Sequence, residues 1–193
     1  MNSIRSSLRA LSVLLLLYGV LPTACSPSPT DRIVLPDLDG RLVEPLDAGS
    51  GEAVLLLFLG TECPIAQAYS PEIASIADEF SGRVATRIVL VDRDLSVETA
   101  RSFARDYNLP QPILLDPHHR LVERLSATVT PEAILLNADL EPVYVGRIDD
   151  RFVSLGRSRP APRQRDLRDA IEAVSSGRLP PRARAPAVGC RIE

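Results

Sequence analysis

Residues 53–59 are apolar without a break, and residues 84–91 form a second largely apolar run. Uninterrupted runs of this length fit strands buried on both faces of a sheet. Between them the period changes: Ile65, Tyr69, Ile73, Ile76 and Phe80 recur at spacings of three and four. That spacing predicts a helix over 64–80 with one buried face. Pro64 suits its first turn, where a missing N–H does no harm, whereas Pro71 falls inside it and is expected to kink it. Further along, Ser96 is a good N-cap for a helix over 96–107. Residues 113–115 read as a short strand, 119–125 as a short helix, and 133–137 and 142–145 as strands joined by the polar turn 138–141. Leu167, Ile171 and Val174 share one face of a last helix over 164–175. Near the start, Asp39 and Gly40 form a strong turn signal between strands at 33–38 and 41–46. A hairpin, alternating strands and helices, a second hairpin and a helix predict an α/β domain. Its central sheet is mixed, with helices on both faces.

The two ends break this pattern. Arg5 and Arg9 precede the apolar stretch 11–21, which is followed by Thr23, Ala24 and Cys25. The stretch is short for a membrane span and reads as an export signal over 1–24. Cys25 after a small residue resembles the acceptor of a bacterial lipoprotein signal, although Leu21 stands one position too far upstream and Pro22 takes the place usually held by leucine. A lipid on Cys25, followed by a tether over 25–31, would hold the domain at the outer, periplasmic face of a membrane. The folded domain is then expected over 32–176. From residue 177 to 193 the chain is rich in Pro and Arg, and an extended tail carrying Cys190 is expected rather than a core element.

Removing the signal takes away two arginines and no acid, which moves the net charge from −3 to about −5. That balance argues against a nucleic-acid partner. All the basic side chains are arginine, a composition bias without evident mechanism. Export makes a disulfide permissible, so the cysteines need reading together.

Cys63 sits where an apolar strand meets the first turn of a helix. Backbone N–H groups and the helix dipole there stabilise a thiolate, the nucleophilic form of cysteine. With Pro64 behind it, and with Val129, Thr130 and Pro131 directly before the strand at 133–137, this junction resembles the thioredoxin-fold redoxins, the broad group of peroxiredoxins and exported thiol–disulfide oxidoreductases. The resemblance covers roughly residues 32–176. It implies that Pro131 is a cis-proline beside Cys63, and that Thr130 offers the neighbouring backbone contact to substrate. It implies a peroxide or protein disulfide as substrate, an external thiol as reductant, and no cofactor.

Departures from the family matter as well. Ala66 stands where thioredoxins carry their second cysteine, and Leu57 where they carry a buried acid. Leu56 and Gly60 stand where peroxiredoxins carry Pro and Thr. Thr61 is the nearest hydroxyl in sequence that could donate to the thiolate. Cys190 is the thiol available to resolve an oxidised Cys63, and the tail is long enough to bring it there. A redox pair, a permanent structural disulfide and two free thiols all remain open. Arg147, in the charged run 147–151, is a candidate to lower the thiol pKa and orient a peroxide. His118 and His119 read as exposed loop residues, and no metal site is expected. A second functional class is a non-catalytic module that holds a partner protein in the Pro131 groove.

Overall fold

The structure, a computed structural model, describes residues 32–49 and 53–193. The expected signal peptide and the whole of the tether, Cys25 included, lie outside the described residues. The elements in chain order are β1 (Leu35–Pro36), β2 (Leu42–Val43), β3 (Ala53–Leu59), α1 (Pro64–Glu79), β4 (Val84–Leu90), α2 (Val97–Asp106), β5 (Ile113–Leu115) and α3 (Arg120–Leu125). They continue with β6 (Val129–Thr130), β7 (Glu132–Leu136), β8 (Pro142–Gly146), β9 (Phe152–Ser154), β10 (Arg157–Ser158), α4 (Asp166–Val174), β11 (Arg184–Ala185) and β12 (Cys190–Arg191).

Six strands form the main sheet in the order β11-β8-β7-β3-β4-β5. β3, β4 and β5 run parallel, while β7 is antiparallel to both β3 and β8. This is the expected mixed α/β sheet. β3 lies at its centre, and every residue of β3 is fully buried, which is why its sequence alternates with nothing. Leu55, Leu57 and Leu59 pack with Ile65, Ile73 and Ile76 of α1, Phe103 of α2 and Leu167 and Ile171 of α4. On the other face Val54, Leu56 and Phe58 pack with Leu121 and Val122 of α3 and with Leu35 from the β1–β2 hairpin. Burying leucines of this kind stabilises the fold by about 1.5–3 kcal/mol each.

Several local predictions match the element bounds closely. Ser96 caps α2 by accepting from the Thr99 N–H at 3.1 Å. Pro71 lies within the span of α1. The turn at 138–141 is closed by Asn137, whose Oδ1 accepts from the N–H groups of Asp139 and Glu141.

The tail corrects an expectation. It is extended, but it is docked onto the domain. β11 adds a parallel edge strand to β8, and Ala185 is buried in the core. Gly146 makes this possible: at φ +146, a Cβ there would stand 1.8 Å from the Ala185 carbonyl oxygen. β12 then pairs antiparallel with β6, setting Cys190 opposite Thr130 and Arg191 opposite Val129. Gly189 permits that approach, since its Cβ would stand 2.1 Å from the Thr130 oxygen.

Candidate active site

Parallel strands end at the same edge of a sheet, so residues that follow β3 and β4 meet there. Cys63 follows β3 as the N-cap of α1, with extended backbone at φ −79 and ψ 113. Its side chain is buried, 3% exposed, and Sγ donates to the Thr130 carbonyl at 3.0 Å. The Thr130–Pro131 bond is cis, and Pro131 is buried. β12 runs alongside Thr130 and brings Cys190 within hydrogen-bonding reach of Cys63. Both are free thiols.

Burial pushes the Cys63 thiol up, but it is outweighed. Hydrogen bonding from the Cys190 side chain, from the N–H groups of Ala66 and Cys190, and from the Thr130 hydroxyl favours the thiolate and places its pKa below the ordinary value. Cys190 moves the opposite way: burial and the neighbouring Cys63 push it up to about 11. The two thiols are therefore shifted in opposite directions, Cys63 down and Cys190 up.

Gly60 explains how the site does without a threonine at that position. A Cβ there would stand 3.1 Å from Thr130 Oγ1 and 3.4 Å from Asp92 Oδ1. Thr130, arriving from β6, brings its hydroxyl into this space. Thr61 does not supply that hydroxyl: its N–H donates to Asp92 Oδ2 at 2.9 Å and its carbonyl accepts from Gln67 Nε2 at 2.8 Å, so it borders the site through its backbone.

A cleft of about 810 Å³ opens beside Cys63. It is lined by Thr61, Glu62, Asp92, Arg93, Arg191 and Glu193 among others. Asp92 and Arg93 were missed by reading the sequence. Their signal was the charged triplet 92–94 directly after the second apolar run, at the same sheet edge as Cys63. Arg93 is held from two sides. Its Nε donates to the main-chain oxygen of Glu193 at 2.9 Å, and its Nη2 lies 3.0 Å from His119 Nδ1. The other ring nitrogen of His119 lies 2.7 Å from the Val91 carbonyl, so Nε2 carries the proton and Nδ1 accepts. His119 is buried, contrary to the expectation of an exposed loop, because it closes this contact between α3 and the end of β4. His118 is exposed.

Arg147 is not brought to Cys63. Its guanidinium donates to Asp166 Oδ2 at 2.8 Å and to Gln164 Oε1 at 2.7 Å, and it is absent from the cleft lining. The rest of the run 147–151 is also structural. Asp149 accepts from the Tyr69 hydroxyl at 2.5 Å, and Asp150 accepts from the N–H groups of Arg163 and Gln164. These residues pin the loop after β8 onto α1 and the start of α4.

The AhpC/TSA family profile matches residues 28–143, which contain β3, Cys63, α1 and the cis-proline. The chain belongs to the AhpC/TSA family. Its homologues include thiol–disulfide oxidoreductases: ResA of Bacillus cereus is 24% identical over 108 residues, 56% of this chain and 61% of that protein. The chain thus spans less than two thirds of the curated relatives it matches. Among solved structures, an uncharacterised conserved protein of Geobacillus kaustophilus superposes with a TM-score of 0.75 at 24% identity, covering 84% of this chain and 88% of its own. StoA of Bacillus subtilis superposes with a TM-score of 0.51 at 21% identity, covering 58% and 84%. A secreted Mycobacterium tuberculosis disulfide oxidoreductase gives a TM-score of 0.51 at 20% identity, covering 58% and 81%. These likenesses establish the thioredoxin-like fold of this redoxin. The wider coverage by the Geobacillus protein reaches well past the share common to the oxidoreductases.

Proposed function

We propose that this redoxin is an exported thiol-dependent oxidoreductase in which Cys63 attacks the substrate and Cys190 resolves the product. One observation carries the reading: Thr130 accepts from the Cys63 thiol and pairs across the strands with Cys190, whose side chain hydrogen-bonds Cys63. With a peroxide, the Cys63 thiolate takes the terminal oxygen, the O–O bond breaks, and the alkoxide leaves with a proton. The Cys190 sulfur then attacks the sulfenic sulfur, and the hydroxyl departs as water with the Cys190 proton. With a disulfide, the Cys63 thiolate breaks the S–S bond to give a mixed disulfide and a free thiolate. Cys190 then displaces the second thiolate. Both routes end in a Cys63–Cys190 disulfide that an external dithiol reduces.

The alternative, a module holding a partner protein in the Pro131 groove, has less support because β12 already lies on that edge. Peptide mapping after mild oxidation tests the assignment. A Cys63–Cys190 linkage is expected, and Cys190→Ser should leave a dimedone-trappable sulfenic acid on Cys63. No linkage under any oxidant would overturn it. The reduction potential distinguishes a redox pair from a structural clamp, since structural disulfides fall below about −300 mV.

Placement outside the cytoplasm rests on the residues before 25, with Cys25 as the lipid acceptor. Among the described residues no helix is long and apolar enough to cross a membrane. Labelled fatty acid should attach to the wild-type chain in a bacterial host and not to Cys25→Ser; equal labelling of both would sink the lipoprotein assignment.

A further inference from the structure

Strand β6 is two residues long, and among the described residues it pairs only with β12. Its backbone touches the candidate thiol, because the Thr130 carbonyl receives the Cys63 S–H. An extended polypeptide binds a sheet edge by adding a strand through main-chain hydrogen bonds. Here the protein's own tail has taken that position. Cys190 lies opposite Thr130, Arg191 opposite Val129, and the Ile192 N–H donates to the Thr128 carbonyl at 3.1 Å. Arg93 ties the end of the strap by donating to the Glu193 main-chain oxygen. Gly189 is fitted to this docking, since any side chain there would strike Thr130.

We infer that residues 189–193 are a specificity strap that denies polypeptide disulfides the Thr130 edge, so that the reduced site takes small oxidants through the cleft. The inference rests on Cys63 being the reactive thiol. An incoming chain must displace the β12–β6 bonds before it can form its own. A small molecule needs only the cleft beside Cys63, bordered by Thr61, Asp92 and Arg93. Losing two or three main-chain hydrogen bonds to make room predicts a handicap for peptides on the order of tenfold or more.

The test uses two probes with the same reacting bond: the mixed disulfide of thionitrobenzoate with free cysteine, and the same mixed disulfide on a twelve-residue extended peptide, about 40 Å long at most. In each, the Cys63 thiolate attacks the cysteine sulfur, the S–S bond breaks, and thionitrobenzoate leaves as a coloured anion. Full-length Cys190→Ser limits the reaction to one turnover while keeping the strap. Gly189→Val and, separately, Ile192→Pro are added to it to undock the strap. Circular dichroism identifies a variant that has lost its fold, and the other then decides. With the strap docked, the small probe should react about tenfold faster or more than the peptide. Undocking should bring that ratio towards one by accelerating the peptide. A docked protein that takes both probes equally, or a ratio unmoved by either variant, would overturn the strap. Failure of Cys63 to react with either probe in every variant would overturn the reading of Cys63 itself, and the strap with it.

Discussion

Cys190 lies directly across an antiparallel pair from Thr130, the residue whose carbonyl receives the Cys63 thiol. A second thiol is therefore beside Cys63 before any oxidant arrives, and it acts on Cys63 electrostatically. Hydrogen bonding from Cys190 is the foremost influence favouring the Cys63 thiolate, against burial.

Cys190→Ala should accordingly raise the pH midpoint for alkylation of Cys63. In the wild type that midpoint should fall below the ordinary thiol value of about 8.5, with Cys190 reacting separately at strongly alkaline pH. Iodoacetamide rates measured across pH check both statements. A midpoint that stays put in Cys190→Ala would show that the N–H groups at positions 66 and 190 and the Thr130 hydroxyl suffice.

Gly146→Ala should detach β11. The added Cβ meets the Ala185 oxygen at 1.8 Å, and two backbone bonds, Val145 N–H to Ala183 and Arg147 N–H to Ala185, depend on the same approach. Overpacking of this kind costs about 1–3 kcal/mol. Gly156, also at positive φ but with nothing within 4 Å, is the control. Its alanine variant should lose only roughly 1 kcal/mol, from backbone strain. Urea denaturation separates the two.

Arg147→Ala should lower stability without changing the chemistry of Cys63. Its partners are Asp166, buried at 5% side-chain exposure, and Gln164. Leaving that carboxylate with only the half-exposed Arg182 should cost about 1–3 kcal/mol. The alkylation midpoint of Cys63 should be unchanged. A shift would return Arg147 to the active site.

Glu132 follows the cis-proline and is buried, accepting from the Thr128 N–H at 2.8 Å. Burial raises its pKa, opposed in part by the N–H groups of Thr128 and Val129. A carboxyl raised on folding stabilises the protein fully below its unfolded pKa and loses that contribution as pH rises through the folded value. Wild-type stability should therefore carry a component that declines upward from about pH 4.5. In Glu132→Gln that component should vanish. Urea midpoints between about pH 4 and 7 for the two proteins test the sign.

Much of the fold could be read from the chain because its signals are local. The spacing from Ile65 to Phe80 reports one buried helix face, and the unbroken run at 53–59 reports a central strand. Cys63 stood out for the same reason, since the strand, the cysteine and the proline are adjacent in sequence. What escaped was made by backbone pairing and by partners far apart. Arg184 and Ala185 carry no apolar pattern, so a strand made by main-chain bonds to Val145 and Gly146 left no periodicity to find. Arg147 looked free because Asp166 is 19 residues away. His119 looked like a loop residue because Val91 and Arg93, which fix its ring, belong to another element. Thr130 replaced Thr61 as the hydroxyl beside the sulfur through the crossing of β6, which nothing near residue 61 reveals.

The pairing of β12 with β6 joins the last described residues to Thr130, 60 positions earlier in the chain, and so lays them beside Cys63, earlier still. Contacts this distant in sequence form late and slowly. During synthesis Cys63 is made early, and the strand that covers it follows well over a hundred residues later. For that interval the thiol has no neighbour to cap or resolve it, and any oxidant it meets will leave a lesion or a crosslink to another chain. Cells making this protein at high level in an oxidising compartment should accumulate disulfide-linked multimers through Cys63 in proportion to the time the chain spends unfinished.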